Sequence, residues 1–530
     1  MALIDTLVAT ADGTVAGRRG VRTRRGTIGW YGIPFAAPPV DGRRFAAPQP
    51  VQPWRGVRPA TRFGFAAIQD KLLTATGPGR FQPVSEDCLT LNVFSPDEES
   101  AQPRPVMVFI HGGAYLLGTT ATPLYDGTRL ARAQNVVVVT VQYRFGPFGM
   151  LDFSAYSTPD RQFDENPGLA DHLAALRWVQ RNIAEFGGDP DNVTVFGESA
   201  GGSSVVSLLA TPSAQGLFRR AIAESPAADL VIAKETAAIY ADEFLRILAD
   251  PARRTTDPAR GEPIPATEAQ RLLAGATAAE LHQAGRRLMR FAAKSGLREP
   301  LPFAPVSGSE LLPQTPIEAA RAGRTLPVPL IIGTNRDEGL LFTKIKRVLS
   351  LPTAERILLQ VQDAAVRDEV LGLYAGGDAE LVRLDGDSIF WAPVISFADA
   401  HRKVAPTYVY RYDFASRALR GSGLGATHGT ELFAVFDGYR MPVFTPLAAG
   451  DWRATRRVTR AVQSRWGAFA RTGVPGGLPD VPGGWPAYED PTRAVLVIDR
   501  RCRVEADPDT DRRLAWERGR AAAFAGSRED

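Results

Sequence analysis

The sequence predicts an α/β protein, a large and mostly parallel central sheet flanked by helices on both faces. Three observations point there. Val106–Ile110 (VMVFI) and Val136–Val141 (VVVVTV) are unbroken apolar runs, the mark of strands buried on both faces. A well-marked helix follows them, in N-P-G-L-A-D-H-L-A-A-L-R-W-V-Q-R-N-I-A-E-F-G-G: Pro167 near its start, Leu169, Leu173, Leu176 and Ile183 at helical spacing, Gly187 and Gly188 at its end. From there strand and helix signals alternate to the end of the chain.

Before residue 105 the pattern is different. Short apolar runs broken by Gly and Pro suggest antiparallel strands at Gly13–Gly17, Thr27–Tyr31 and Leu89–Phe94. After the two buried runs and the helix, a strand is expected at Val193–Phe196 and a helix at Gly202–Ala210. Further strands are expected at Arg220–Glu224, Val328–Ile332, Tyr408–Phe414 and Ala494–Asp499. Ala454–Thr472 reads as a long helix with Val458, Val462, Trp466 and Phe469 on one face. Residues near 235–300 are rich in Ala, Arg and Leu and read as a helical insertion over the sheet, with a second near 340–400. The whole chain, 1–530, is expected to form one domain with a frayed tail at GSRED.

Composition excludes several classes. Hydrophobic residues are 44% and charged residues 23%, ordinary for a globular chain, and 62 basic against 58 acidic residues leave a net charge of +4. The pI of about 9.1 would suggest nucleic acid only if the basic residues clustered, and pairs such as Arg219-Arg220 and Arg456-Arg457 read as scattered among acids. Residues 1–20 build no apolar core of a signal peptide, and no apolar run nears the ~18 residues of a membrane helix. Two cysteines, Cys88 and Cys502, make no disulfide framework, so a reducing cytoplasm is expected. No two of the five histidines lie three to five apart, so no metal site is expected. His172, beside Leu173 on its helix, reads as structural.

The chemistry begins at Val193-Thr-Val-Phe-Gly-Glu-Ser-Ala-Gly-Gly202. G-x-S-x-G after a strand is the nucleophile-elbow pattern, in which glycines let the backbone bend and expose a serine hydroxyl, here Ser199. A serine nucleophile needs a base, an orienting acid and donors for an oxyanion. Ligands of such sheets sit beyond the carboxyl ends of strands, and three stretches qualify. His111-Gly-Gly-Ala-Tyr115 offers backbone N–H groups; Gly333-Thr-Asn-Arg-Asp-Glu-Gly339 offers Asp337 or Glu338; Ala426-Thr-His-Gly-Thr-Glu431 offers His428. The order Ser, then Asp or Glu, then His is that of α/β-hydrolases.

These stretches, with Gly32-Ile-Pro-Phe-Ala-Ala-Pro-Pro39, Ser85-Glu-Asp-Cys-Leu-Thr-Leu-Asn92 and Phe186-Gly-Gly-Asp-Pro-Asp-Asn, resemble the type-B carboxylesterase family over roughly residues 10 to 515. That family includes acetylcholinesterase, the liver carboxylesterases and bacterial p-nitrobenzyl esterases. The resemblance implies an α/β-hydrolase fold, Ser199 as nucleophile, His428 as base and Glu338 rather than Asp337 as the acid. It implies an oxyanion hole from the N–H groups of Gly113, Ala114 and Ala200. Glu198 is expected beside the triad, either helping to hold the histidine or a water, or as a structural group with no step. Departures are informative. No cysteine precedes Cys88, so the pairing of secreted members is missing and Cys88 is expected to be a buried, inert thiol. Thr74–Val84 lacks the choline-binding Trp of cholinesterases. The loop reads H-G-G-A, resembling the p-nitrobenzyl-esterase branch, and Ser225-Pro226 replaces the usual Ser-Gly.

The implied reaction is cofactor-free hydrolysis of short- to medium-chain or aryl carboxylic esters through an acyl-enzyme. The expected partner is a small-molecule ester, with neither nucleic acid nor membrane. Tyr115, Phe390 and Trp391 are candidate pocket walls, with core packing the alternative for the Phe-Trp pair. Amidase, carbamate hydrolase or lipase activity on the same triad is the alternative reading, and a non-catalytic binding member the remoter one.

Overall fold

The computed structural model describes residues 5–21, 24–251, 264–297, 299–345, 363–476, 481 and 483–525. The tail expected to fray, 526–530, lies outside the described residues. Two compact units divide the chain: Met1–Ala221 with Leu230–Thr315, and Ile222–Asp229 with Pro316–Asp530.

In the first unit the sheet strands are β1 (Thr27–Pro34), β2 (Thr90–Pro96), β3 (Arg104–Ile110), β4 (Val137–Val141) and β5 (Gly188–Glu198), in the order β5-β3-β4-β2-β1. β3 pairs parallel with β4 and β5, and β2 pairs antiparallel with β4 and β1. The strands read as unbroken apolar runs lie at its centre, and Val106–Ile110 and Val137–Val141 are all buried, as two-sided burial requires. Helix α1 (Pro167–Asn182) starts at its proline, and Gly187 at φ 80 turns the chain back into β5. Behind it Arg144, on the loop after β4, forms a buried fork with Asp171 of α1, with Nε and Nη2 at 2.9 and 2.8 Å from the carboxylate. His172 is fully buried edge-on to Tyr143, and burial pushes its pKa down to about 3, which keeps it neutral. The first insertion is helical where described: Lys234–Ala249, Ala266–Gly275 and Ala278–Ala292, the last opened by a Thr277/Glu280 capping box.

In the second unit β6 (Arg220–Glu224) arrives from the first and is followed by β7 (Leu330–Asn335), β8 (Thr407–Tyr412), β9 (Ala494–Ile498) and β10 (Arg503–Ala506), in the order β10-β9-β8-β7-β6. β7, β8 and β9 run parallel, and β10 closes the edge antiparallel. The long helix Trp452–Thr472 buries Val458, Val462, Trp466 and Phe469, the face expected from spacing. The second insertion is helical where described, and it contains a π-helical turn at Asp387–Trp391. The chain does not stop at β9 in any structural sense. A strand and the helix Thr510–Ala525 follow, and Ala515 and Trp516 of that helix enter an apolar cluster with Val370, Tyr374 and Leu384.

Candidate active site

In the first unit β5 runs straight to Glu198, and Ser199 turns the chain at φ 58, ψ −125 before the helix Ala200–Leu209 begins. A non-glycine residue held there costs on the order of 1–3 kcal/mol, which the neighbouring packing must offset. That packing explains the glycines. A Cβ on Gly201 would sit 2.0 Å from the Ile110 carbonyl oxygen, and one on Gly197 would sit 2.6 Å from the Gly201 backbone. The end of β3 and the elbow are thus pressed together with no room for a methyl group.

The His111–Tyr115 loop closes on the same elbow. A Cβ on Gly112 would lie 2.6 Å from the Glu198 carbonyl oxygen and 2.8 Å from both Ser199 Cβ and a Glu198 carboxylate oxygen. Gly113 (φ 118), Ala114 (φ 53) and Tyr115 (φ 55) are all left-handed, and the Gly113 carbonyl accepts from Leu116 and Leu117 N–H at 2.9 and 3.1 Å. Fully buried Tyr115 shares a 3.1 Å hydrogen bond with Ser204 on the elbow helix. The Gly112 carbonyl accepts from Nδ1 of His111, and Gln142 lies 3.2 Å from Nε2. This fits a neutral imidazole, and burial pushes its pKa down to about 4. His111 therefore braces the loop. Ala200 is the first helical residue, where an N–H has no intrahelical acceptor and the helix dipole favours negative charge.

In the second unit Glu338 follows β7, and His428 lies beyond β8 on the same sheet. His428 Nδ1 is 2.6 Å from Glu338 Oε2, with both side chains buried. The other oxygen, Oε1, accepts from the Asn335 N–H at 2.7 Å and the Ser225 hydroxyl at 2.6 Å. Asp337, the competing carboxylate, points elsewhere. It accepts from Arg336 at 2.9 and 3.0 Å and from the Ala426 N–H at 2.8 Å, and so anchors the histidine loop from below. Burial alone would raise its pKa, but Arg336 and the Ala426 N–H hold it below the usual carboxylate range.

Two buried partners of this cluster had no role assigned from the sequence, although Ser225-Pro226 stood out there as a departure from the family pattern. Ser225, at φ 44 after β6, links Glu338 to a second carboxylate, Glu431, whose Oε1 is 3.5 Å from the hydroxyl. Glu431 also accepts from the Asn335 side chain. Its only sequence signal is the Glu three residues after His428, and for Ser225 it is a small polar residue just past a strand.

The aromatic candidates separate. Phe390 packs against the His428 ring at 4.4 Å between centroids with the planes tilted by 33°, and Phe342 joins it at 5.2 Å. Trp391, the next residue of the π-helical turn, packs instead against the cluster containing Tyr374 and Trp516. Consecutive side chains on a helical turn diverge by roughly 100°, and here one reaches the histidine and the other the core.

Comparison with known proteins gives a consistent result. The Carboxylesterase family model matches residues 4–516. A para-nitrobenzyl esterase of Bacillus subtilis is 37% identical over 511 residues, covering 96% of this chain and 97% of that protein. The pig (Sus scrofa) liver carboxylesterase is 36% identical over 496 residues, covering 87% and 83%. Among solved structures, a thermophilic PNB esterase superposes with a TM-score of 0.83 at 36% identity, over 96% of this chain and 99% of that one. A Geobacillus stearothermophilus carboxylesterase superposes at 0.80 and 33%, over 96% and 100%.

Proposed function

The chain belongs to the carboxylesterase family, and on that premise we propose that it hydrolyses carboxylic esters through an acyl-enzyme on Ser199. Its fold is that of the α/β-hydrolases. Ser199 attacks the ester carbonyl carbon while His428 takes the hydroxyl proton, and Glu338, accepting from Nδ1, stabilises the imidazolium. The carbonyl oxygen becomes an oxyanion facing the N–H groups of Gly113, Ala114 and Ala200, each such donor typically worth ~3 kcal/mol in the transition state. Collapse expels the alcohol, which takes the proton back from His428. Water then repeats the sequence on the acyl-enzyme and releases the carboxylic acid. No cofactor enters this chemistry.

The observation that carries the reading is the elbow itself: a serine held at φ 58 between glycines that admit no side chain, at the start of a helix. Phe390 and Phe342 beside His428 favour an apolar ester, short- to medium-chain or aryl. Tyr115 supports the reading differently, as a brace on the oxyanion loop, and Glu198 by lying against Gly112. A reducing, cytoplasmic setting is supported by a sequence with only two cysteines, Cys88 and Cys502, both buried; burial pushes the Cys88 thiol up, which makes it inert. Among the described residues no helix is long and apolar enough to cross a membrane.

The test is hydrolysis of p-nitrophenyl esters from acetate to decanoate by the wild type and Ser199→Ala. A chain-length optimum in the wild type with loss of nearly all turnover in the variant is expected. A variant that keeps its rate would refute the assignment. Amide substrates and a rate jump above the solubility limit separate the amidase and lipase alternatives.

A further inference from the structure

The helix Trp452–Thr472 (WRATRRVTRAVQSRWGAFART) contains six arginines and no acidic residue. Arg465 is buried, but Arg453, Arg456, Arg457 and Arg460 are exposed. At about 100° per residue, Trp452, Arg456, Arg460, Arg453 and Arg457 fall within an arc of roughly 140°, opposite the face that buries Val458, Val462 and Phe469. Among the described residues none of these four guanidinium groups makes an ion pair. Other helices differ. Lys234–Ala249 balances Lys234 and Arg246 with Glu235, Asp242 and Glu243, and in Thr510–Ala525 Arg513 and Arg518 pair with Glu517 and Glu369. The chain's small net charge therefore does not account for this face. The reading of Arg456-Arg457 as scattered among acids is corrected here: the nearest acids in sequence are beyond the helix.

The patch extends past the helix. Arg457 donates to the Arg500 carbonyl at 3.2 Å, and a surface depression beside it is lined by Arg457, Asp499, Arg500, Arg501, Cys502 and Arg503, of which Arg503 is paired with Glu505 at 2.7 Å. The acid that precedes the helix, Asp451, is 5% exposed and faces three arginines, with Arg500 at 2.7 Å, Arg417 at 3.7 Å and Arg420 at 3.9 Å. It cannot neutralise the stripe. At the edge of the same arc Trp452 is 42% exposed, a large amphipathic ring left in water.

We propose that this face docks on an anionic lipid surface, with the arginines at the phosphates and Trp452 at the headgroup level. Basic residues on one face beside an exposed Trp are the chemistry of interfacial helices, and the charge alone would serve any polyanion. The tryptophan favours the bilayer. This is surface association, so the lack of a spanning helix does not bear on it, and it is independent of how Ser199 acts.

The experiment is co-sedimentation of the full chain with phosphatidylcholine vesicles, with and without phosphatidylglycerol, at low and high salt. Each arginine near such a surface is worth about fivefold in binding, so changing all four to Gln removes about two orders of magnitude or more. Binding that requires phosphatidylglycerol, weakens with salt and is lost in the quadruple variant is the expected result. A Trp452→Ala variant should bind several-fold more weakly with an unchanged salt slope. Both variants should keep full turnover of a soluble p-nitrophenyl ester, which shows that they fold. No binding, equal binding to neutral vesicles, or an undiminished quadruple variant would overturn the proposal. So would duplex DNA bound as tightly as the vesicles, which would make the face a general polyanion site.

Discussion

Replacing Gly201 by alanine tests the elbow without touching a reacting group. The added Cβ would stand 2.0 Å from the Ile110 carbonyl oxygen, 2.8 Å from its carbon and 2.9 Å from the His111 carbonyl carbon. All three are backbone atoms, so no side chain can swing away. Relief requires the elbow helix and the end of β3 to separate by about 1 Å, and the oxyanion loop begins at the next residue. A shift of that size costs about 10²-fold in a positioned reaction, and loss of one oxyanion donor costs about 10²–10³-fold. Gly201→Ala should therefore lower kcat by about 10²–10³-fold with little change in KM. The overpacking penalty of about 1–3 kcal/mol should leave the protein folded. Gly275→Ala is the control, since a Cβ there meets nothing within 4 Å and φ is not positive. Steady-state kinetics on a p-nitrophenyl ester, with a thermal melt of each variant, supply the readout. A folded Gly201→Ala enzyme within about threefold of wild-type kcat would refute the reasoning.

Three further outcomes follow from the buried polar groups. Ser225→Ala removes the 2.6 Å donor to Glu338; a hydrogen bond to a charged group is worth about 1.5–3 kcal/mol, so kcat should fall about 10- to 100-fold while KM holds steady. Asp171→Ala strands the Arg144 guanidinium, 3% exposed, without its counter-charge, and denaturant titration should show a loss of about 3–5 kcal/mol. Burial pushes the Asp387 carboxyl up to about 7, against the hydrogen bond from Tyr374 and the charge of Arg383. Its folded state then binds a proton that the unfolded state has lost, so stability falls as pH rises from about 4 to about 7. Asp387→Asn should match the wild type in urea midpoint at pH 4 and exceed it at pH 8; equal midpoints at both would refute the shift.

How much of this was legible depended on whether local sequence or tertiary packing set the outcome. VMVFI and VVVVTV could be read as central strands because two-sided burial demands unbroken apolar runs. The elbow could be read because its glycines answer a local steric need. β5 begins at Gly188, earlier than the expected Val193, because Gly-Asp-Pro-Asp-Asn carries turn residues that in fact extend the strand across an irregular register. β10 and the helix after it were not anticipated. The strand is a half-exposed edge with no apolar run, and the helix is stabilised by Ala515 and Trp516 entering a distant cluster. Ser225 and Glu431 matter only through buried hydrogen bonds spanning 113 and 206 residues of chain, which no local pattern encodes. Phe390 and Trp391 are adjacent letters on one helical turn whose side chains meet different neighbours, and only tertiary packing decides which. The choice between Asp337 and Glu338 came from family resemblance, and its physical correlate is Arg336, which occupies Asp337 and leaves Glu338 to the histidine.

The central claim is an acyl-enzyme on Ser199, and the most direct measurement traps it. Wild type and Ser199→Ala are mixed with p-nitrophenyl butyrate, quenched in acid during turnover, and digested for peptide mass mapping. The account predicts a butyryl group on the peptide carrying Ser199, confined by fragmentation to that residue and missing in the variant. A butyryl group on any other residue of a turning-over enzyme, or a variant that still turns over, would contradict it.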